Sequence, residues 1–366
     1  MIIPNSVILS RTTMAGRKRR STKTGLPPGA LVHLGEQKIE HASISLIDYG
    51  PDKLIEKQFT SLADCQACKP TQPIQWLNVY GLHEPEILAE IGRRFNLHPL
   101  VLEDILNTDQ RPKLDEYADY LFLVARFFDY DDATMTISSE QVSMVVGRGF
   151  VLTFQEKPTG NFNPVRDRLR QDRGQIRRSG SDYLAYALLD TIVDRYFAVL
   201  EGMGERAERL EEELMQKPAP HLLETLHRLK RETVVLRRAV WPLREVINGL
   251  TRGNIFFGAE VQPYLRDIYD HTVHVIESLE AIRDLISSLL EIYLSTVSNR
   301  LNREVRVLTV VALIFMPSTL LAGIFGMNFK SMPLLDAPNG FGLIIGTMMV
   351  IAVTLAVIFW RRKWLG

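Results

Sequence analysis

Cysteine is almost missing: the 366 residues contain two, Cys65 and Cys68. A disulfide framework needs more, so the water-exposed part of the chain reads as belonging to a reducing compartment. A zinc site needs four ligands, and no second Cys or His pair stands at a suitable spacing. Cys65-x-x-Cys68 therefore reads either as two small loop residues or as a metal or redox pair, and His83 and His98 as structural or exposed. No G-x-x-x-x-G-K-[ST] run and no glycine-rich strand-to-helix turn occurs, which argues against a bound nucleotide. Charge bias is missing too: 43 basic residues balance 43 acidic ones, so nothing points to nucleic acid. The sharpest deficit is local. Beyond Arg306 the only charged residues are Lys330, Asp336, Arg361, Arg362 and Lys363.

That deficit leaves two charge-free apolar runs, residues 307–325 and 341–360. A helix of about 20 residues crosses ~30 Å of hydrocarbon, so both read as membrane spans in a lipid bilayer. Arg300, Arg303 and Arg306 precede the first, and Arg361, Arg362 and Lys363 follow the second. The positive-inside rule then places both termini in the cytoplasm and the 326–340 loop outside. At the other end, the basic cluster Arg17, Lys18, Arg19, Arg20 and Lys23 follows apolar residues instead of preceding them. This is the wrong order for a secretory signal. Residues 1–24 read as a solvated basic tail or a lipid-contacting one.

From 25 to about 175 the pattern is mixed. Residues 44–49, 74–80, 120–130, 136–146 and 150–155 are rich in β-branched and aromatic side chains and predict strands. Residues 85–95 and 99–106 predict helices with proline in the first turn, and 164–173 a third. The expected architecture is an α+β domain. Glu103 and Asp104 stand near the end of the second helix, where carboxylates oppose the macrodipole. Alone, they read as a solvated polar face or as a site that needs a positive partner.

A helical hairpin is expected over 176–260, from helices 181–216 and 221–250. The second carries Leu222, Leu226, Leu229, Thr233, Leu236, Val240, Leu243 and Ile247 at alternating spacings of four and three, a heptad seam. Pro242 predicts a kink near its end. The first helix is acidic over 201–213 and the second basic, a pattern of solubility or of local ion concentration. A stalk helix over 261–325 then runs into the first span. One stripe on it (Tyr264, Ile268, His271, Val275, Ser278, Ile282, Leu285, Leu289, Ile292) is expected to pack. Another, from Glu291 through Ser295, Ser298, Asn302, Val305, Thr309, Ala312, Met316 and Thr319 to Gly323, gathers polar and small residues. Such a stripe serves either a water-filled path or helix packing. Two spans are too few to enclose a path, so conduction would require a closed ring of copies.

At Gly326-Met327-Asn328, directly after a span and before a short loop and second span, the chain resembles the CorA family of divalent-cation transporters. Tyr80-Gly81-Leu82-His83, the run from His98 to Leu106, Gln110-Arg111-Pro112-Lys113, the run from Trp241 to Val246, and Tyr264-Leu265-Arg266-Asp267 carry the same resemblance. It covers about residue 25 to the C-terminus. The resemblance implies a funnel-shaped homopentamer and transport of Mg2+, with Co2+ and Ni2+ as further cargo, and no enzyme activity. Gly326, Met327 and Asn328 would form the pore mouth; Asn302, Met316 and Thr319 would lie on the pore face with Leu308 as an apolar constriction. It also implies regulatory Mg2+ between Asp104 of one subunit and Glu291 of its neighbour, with Glu103, Asp190 and Asp267 as a second acidic group. Glu291 stands where aspartate is often seen. Phe325 replaces a common tyrosine, and the segment Met332-Pro333-Leu334-Leu335 lacks a glutamate while Lys330 adds positive charge. The alternatives are that the chain is a zinc transporter of the same superfamily or a membrane-anchored oligomeric sensor.

Overall fold

The computed structural model describes residues 25–59, 70–216, 219–253, 255–327, 339–362 and 364. The basic tail, both cysteines, and Asn328, Lys330 and Asp336 lie outside the described residues. The chain divides into two compact units. One is Met1–Glu211 with Glu224–Ile286, and the other is Glu212–Leu223 with Ser287–Gly366.

Among the described residues, the first unit is built on seven strands: β1 Ser43–Tyr49, β2 Leu54–Phe59, β3 Ile74–Tyr80, β4 Lys113–Glu116, β5 Tyr120–Asp131, β6 Thr136–Gly147 and β7 Phe150–Gln155. Their order is β2-β1-β3-β7-β6-β5-β4. Neighbours are antiparallel except the central pair β3 and β7, which runs parallel with Gln75 opposite Phe150. Central strands buried on both faces read as nearly continuous apolar runs, and β3 is buried at every position. One face packs on helices α1 (Pro85–Arg94) and α2 (Pro99–Leu106), through Leu77, Val79, Phe122, Val124 and Leu152 against Leu88, Ile91, Val101 and Ile105. The other face meets α3 (Asn163–Arg170) and α4 (Ser181–Gln216): Phe162 lies edge-on to Trp76 and Phe127, and Tyr196 donates to the Arg126 carbonyl at 2.6 Å. Arg166 is buried, with no carboxylate bound to it among the described residues. It lies over the Trp76 ring at 5.0 Å and donates to the Tyr80 hydroxyl and Asn163, which together replace its lost water.

Five of the seven strands match the sequence expectation. The two it omits, β2 and β4, are the sheet's edges. Both are charged, as Leu-Ile-Glu-Lys-Gln-Phe and Lys-Leu-Asp-Glu, with no fully buried residue. Edge strands carry charge because it blocks pairing with another chain, and the same charge erases the apolar signal. His98 has a structural role: its ring nitrogen caps α2 by accepting from the Leu100 amide at 3.2 Å. Between β6 and β7, Gly149 takes φ +81° in a two-residue turn, and Ser181 ties that turn down by donating to the Gly147 carbonyl at 2.7 Å.

Helix α5 (Pro220–Thr251) buries every residue of its expected seam, Leu222 to Ile247. The polar member, Thr233, donates its hydroxyl to the Lys230 carbonyl. Helix α6 (Gln262–Phe325) is unbroken through Pro317, as α5 is through Pro242. Its buried seam differs from the expected one. Ile268, Val275, Ile282 and Leu289 are buried as anticipated, but the intervening buried positions are Leu265, Thr272, Leu279, Ile286 and Tyr293. The expected set of Tyr264, His271, Ser278, Leu285 and Ile292 stands one residue away and is partly or fully exposed. Both sets keep heptad spacing, and the more apolar one wins because burial without a partner costs the hydroxyl and imidazole groups more.

The seam separates neighbours cleanly. Leu236→Ala should cost about 2–5 kcal/mol of apparent stability, whereas exposed Val235→Ala should stay within about 0.5 kcal/mol. Denaturant titration of the purified chain checks both.

Candidate functional site

The second unit holds the apolar part of α6 and helix α7 (Gly340–Arg361). Both are long and apolar enough to span a membrane, with mean hydropathies of 2.3 and 2.6 over their most apolar stretches. Those stretches are almost wholly unburied in the single chain, unlike the core helix of a soluble protein. The anticipated stripe, Asn302, Val305, Leu308, Thr309, Ala312, Met316 and Thr319, is exposed at every position, while nearby Val310 is fully buried. A shallow groove of about 550 Å³ runs along Ala312, Met316, Thr319, Gly323 and Met327. The threonine hydroxyls donate to carbonyls four residues back, Thr309 to Val305 at 2.8 Å and Thr319 to Phe315 at 3.0 Å. Thr347 and Thr354 on α7 do the same. Self-satisfied hydroxyls are tolerated toward lipid or water, so the groove and not the threonines distinguishes this face. The helix closes by a tight turn in which the Gly326 amide donates to Ala322 and the Met327 amide to Ile324. Met327 is half exposed there.

In the first unit, α2 presents Glu103 and Asp104. Glu103 accepts from the Gly29 amide at 2.5 Å. Asp104 is bound on both oxygens: Lys113 donates to Oδ2 at 2.6 Å and Gln110 to Oδ1 at 2.5 Å. Lys113 also reaches Asp115 Oδ2 at 2.5 Å and lies over the Phe122 ring at 5.3 Å. Burial disfavours its ammonium, but the bonds to Asp104 and Asp115 outweigh that and hold its pKa above the ordinary lysine value. The connecting loop is clamped by Arg126, which donates to the carbonyls of Thr108 and Gln110, and by Gln141, which accepts from the Gln110 amide. The positive partner that Asp104 needs near a helix C-terminus is therefore intramolecular.

A second acidic group forms on α4 and α6. Carboxylate oxygens of Asp190 and Asp194 and a ring nitrogen of His271 lie within 4.8 Å of one another, the one such gathering among the described residues. Asp267 joins through His271, 3.9 Å away one turn earlier. The structure thus brings Asp190 toward Asp267 and adds Asp194 and His271, which are not among the expected site residues. Their signal was the four-residue spacing of both pairs, which puts them on one helix face. Glu103 is held elsewhere, on Gly29. Glu291 is exposed on α6 and belongs to the second unit. Asp190 and Asp194 line a cleft of about 450 Å³ with Arg168, Thr191 and Arg195. Two carboxylates and an imidazole suit a divalent ion: the oxygens fit Mg2+, and the nitrogen fits Co2+, Ni2+ or Zn2+.

Burial, and then the charge of Asp194, push the Asp190 carboxyl up to about 6, against the opposing pull of Arg168 and His271. A raised folded-state pKa stabilises the protein below the unfolded value of about 3.9, and that contribution is lost as pH rises through the folded value. Metal-free Asp190→Asn should therefore melt above the parent chain at pH above about 7, with the difference vanishing near about pH 4. Thermal melts in chelator across that range check it.

The family model for "CorA-like Mg2+ transporter protein" matches residues 71–363. The cobalt/magnesium transport protein CorA of Thermotoga maritima is 42% identical over 349 residues, covering 95% of this chain and 99% of the relative. The putative metal ion transporter YfjQ of Bacillus subtilis is 32% identical over 290 residues, 79% of this chain and 89% of the relative. Among solved structures, the CorA magnesium transporter of Methanocaldococcus jannaschii superposes with a TM-score of 0.74 at 21% identity, covering 89% of this chain and 99% of that one. These relatives are named as transporters, not as enzymes. With a family model spanning most of its length and a relative 42% identical across nearly all of it, the chain belongs to the CorA family of Mg2+ transporters.

Proposed function

We propose that this chain forms a homopentameric channel that admits Mg2+, and with it Co2+ and Ni2+, through the inner or plasma membrane. Both termini would lie in the cytoplasm. The observation that carries this reading is helix α6 itself. One unbroken helix bears Asp267 and His271 at one end, and at the other an exposed grooved face that closes on Gly326 and Met327. Five copies of that face would enclose the path, lined by Asn302, Val305, Thr309, Ala312, Met316 and Thr319 and narrowed at Leu308.

At the mouth, Asn328 and the carbonyls of Gly326 and Met327 would receive the ion with its water shell. Mg2+ dehydrates reluctantly, so neutral oxygens that bond to its waters hold it without stripping it. No energy source beyond the membrane potential is needed: two charges crossing 100 mV gain roughly 4.6 kcal/mol, at about 2.3 per charge. Cytosolic Mg2+ would close the ring by bridging Asp104 of one subunit and Glu291 of the next. Asp190 and Asp267, with Asp194 and His271, would form a second regulatory group. Clustered carboxylates repel when empty and are joined when a cation sits between them, so bound Mg2+ favours the closed arrangement.

Purified protein in liposomes with a trapped divalent-ion indicator and an inside-negative potential should admit Mg2+. Asn328→Ala should slow the initial rate about tenfold or more, the value of one hydrogen bond to a charged group. Unchanged influx in that variant sinks the reading of the mouth, and Zn2+ entry without Mg2+ entry favours zinc transport instead. For the gate, Mg2+ should protect the parent chain from proteolysis, and the double variant Asp104→Asn, Glu291→Gln should lose that protection.

A further inference from the structure

We propose that Lys113 is an internal competitor for the regulatory cation: its ammonium occupies Asp104 when Mg2+ is scarce, and so sets the concentration at which Mg2+ acts. This rests on the reading of Asp104 as a regulatory ligand and goes beyond it by naming what the metal must displace.

The geometry is a cation site already filled by a side chain. Asp104 is about three-quarters buried, and both of its oxygens accept bonds, Oδ2 from the Lys113 ammonium and Oδ1 from the Gln110 amide. Mg2+ binds carboxylate oxygen at about 2.0–2.1 Å, or through one water of its shell. Either position puts two positive charges against the same oxygen as an ammonium 2.6 Å from it. One cation has to leave.

The surroundings give the lysine somewhere to go. Asp115, on the same strand, already holds Nζ at 2.5 Å, and the Phe122 face on the adjacent strand lies 5.3 Å from it. Released from Asp104, the ammonium keeps one ion pair and one aromatic face, so the exchange does not strand a half-buried charge. A lysine held by a single carboxylate would block the site. One shared between two carboxylates tunes it. The clamp of Arg126 and Gln141 on residues 108–110 keeps the receiving carboxylate in place while the lysine moves.

The test is the Mg2+ concentration at half-protection from proteolysis, measured on the full chain in detergent. Lys113→Met should lower it about tenfold, the effect of removing one adjacent unit charge from a partly solvated site. Lys113→Arg, which keeps the charge, should stay within about twofold of the parent, and Asp115→Asn, which commits the lysine to Asp104, should raise the midpoint. Arg111→Met is the control for general field effects. It removes an equal charge two residues away, from an exposed side chain with no ion pair to Asp104 among the described residues. An unchanged midpoint in Lys113→Met overturns the proposal, and so does an equal shift in Arg111→Met. Should Lys113→Met fail to fold, an unchanged or lowered midpoint in Asp115→Asn overturns it instead. Asp104→Asn separates the two levels: if it leaves the midpoint where the parent has it, the regulatory reading of Asp104 falls. If it removes protection while Lys113→Met changes nothing, only the competitor role falls.

Discussion

The structure depends on one constraint: helix α6 has to satisfy its own backbone in two solvents without a break. In water its ends and polar face can be hydrated, but in hydrocarbon every amide and carbonyl must pair within the helix. The composition obeys this division. Arg300, Arg303 and Arg306 mark the last charged turns, and from Val307 to Phe325 even the threonines return their hydroxyls to the helix's own carbonyls. Pro317 removes one donor without ending the helix, which is tolerated where neighbouring turns hold the backbone.

Electrostatic cost organises the first unit. Asp190 is placed where ionisation is disfavoured by burial and by Asp194, and Asp104 stands in the last turn of α2. The protein meets the two cases differently. Asp104 is neutralised by its own lysine, whereas the pair Asp190 and Asp194 is relieved only partly, by Arg168 and His271. One group is thus supplied with an internal counter-ion, while the other remains a carboxylate whose ionisation burial and a like charge oppose.

Elements buried on both faces, or on one strict stripe, were legible from the residue order. The central strands β3 and β7, helix α2 and the α5 seam fall where apolar periodicity places them, because burial dictates composition directly. Strands β2 and β4 were not legible, since an edge strand answers to solubility as much as to packing. The α6 seam shows a subtler failure. Two heptad registers one residue apart share Ile268, Val275, Ile282 and Leu289, and spacing alone does not choose between Leu279 and Ser278 for the positions between them.

By itself the amino-acid sequence determined the fold class, the two membrane-length runs and, through the Gly326-Met327-Asn328 signature and its companions, the family. Each of these is a property of local order: length, periodicity and short motifs survive without knowledge of what lies opposite. Tertiary structure alone decided which charges meet. Lys113 is nine residues from Asp104 and two from Asp115, yet it holds both because the clamped loop turns β4 back against α2. His271 reaches Asp190 and Asp194 only because α4 and α6 pack side by side. Coulomb energy acts between atoms in space and falls with distance and screening, so pairings across elements cannot be read from spacing along the chain.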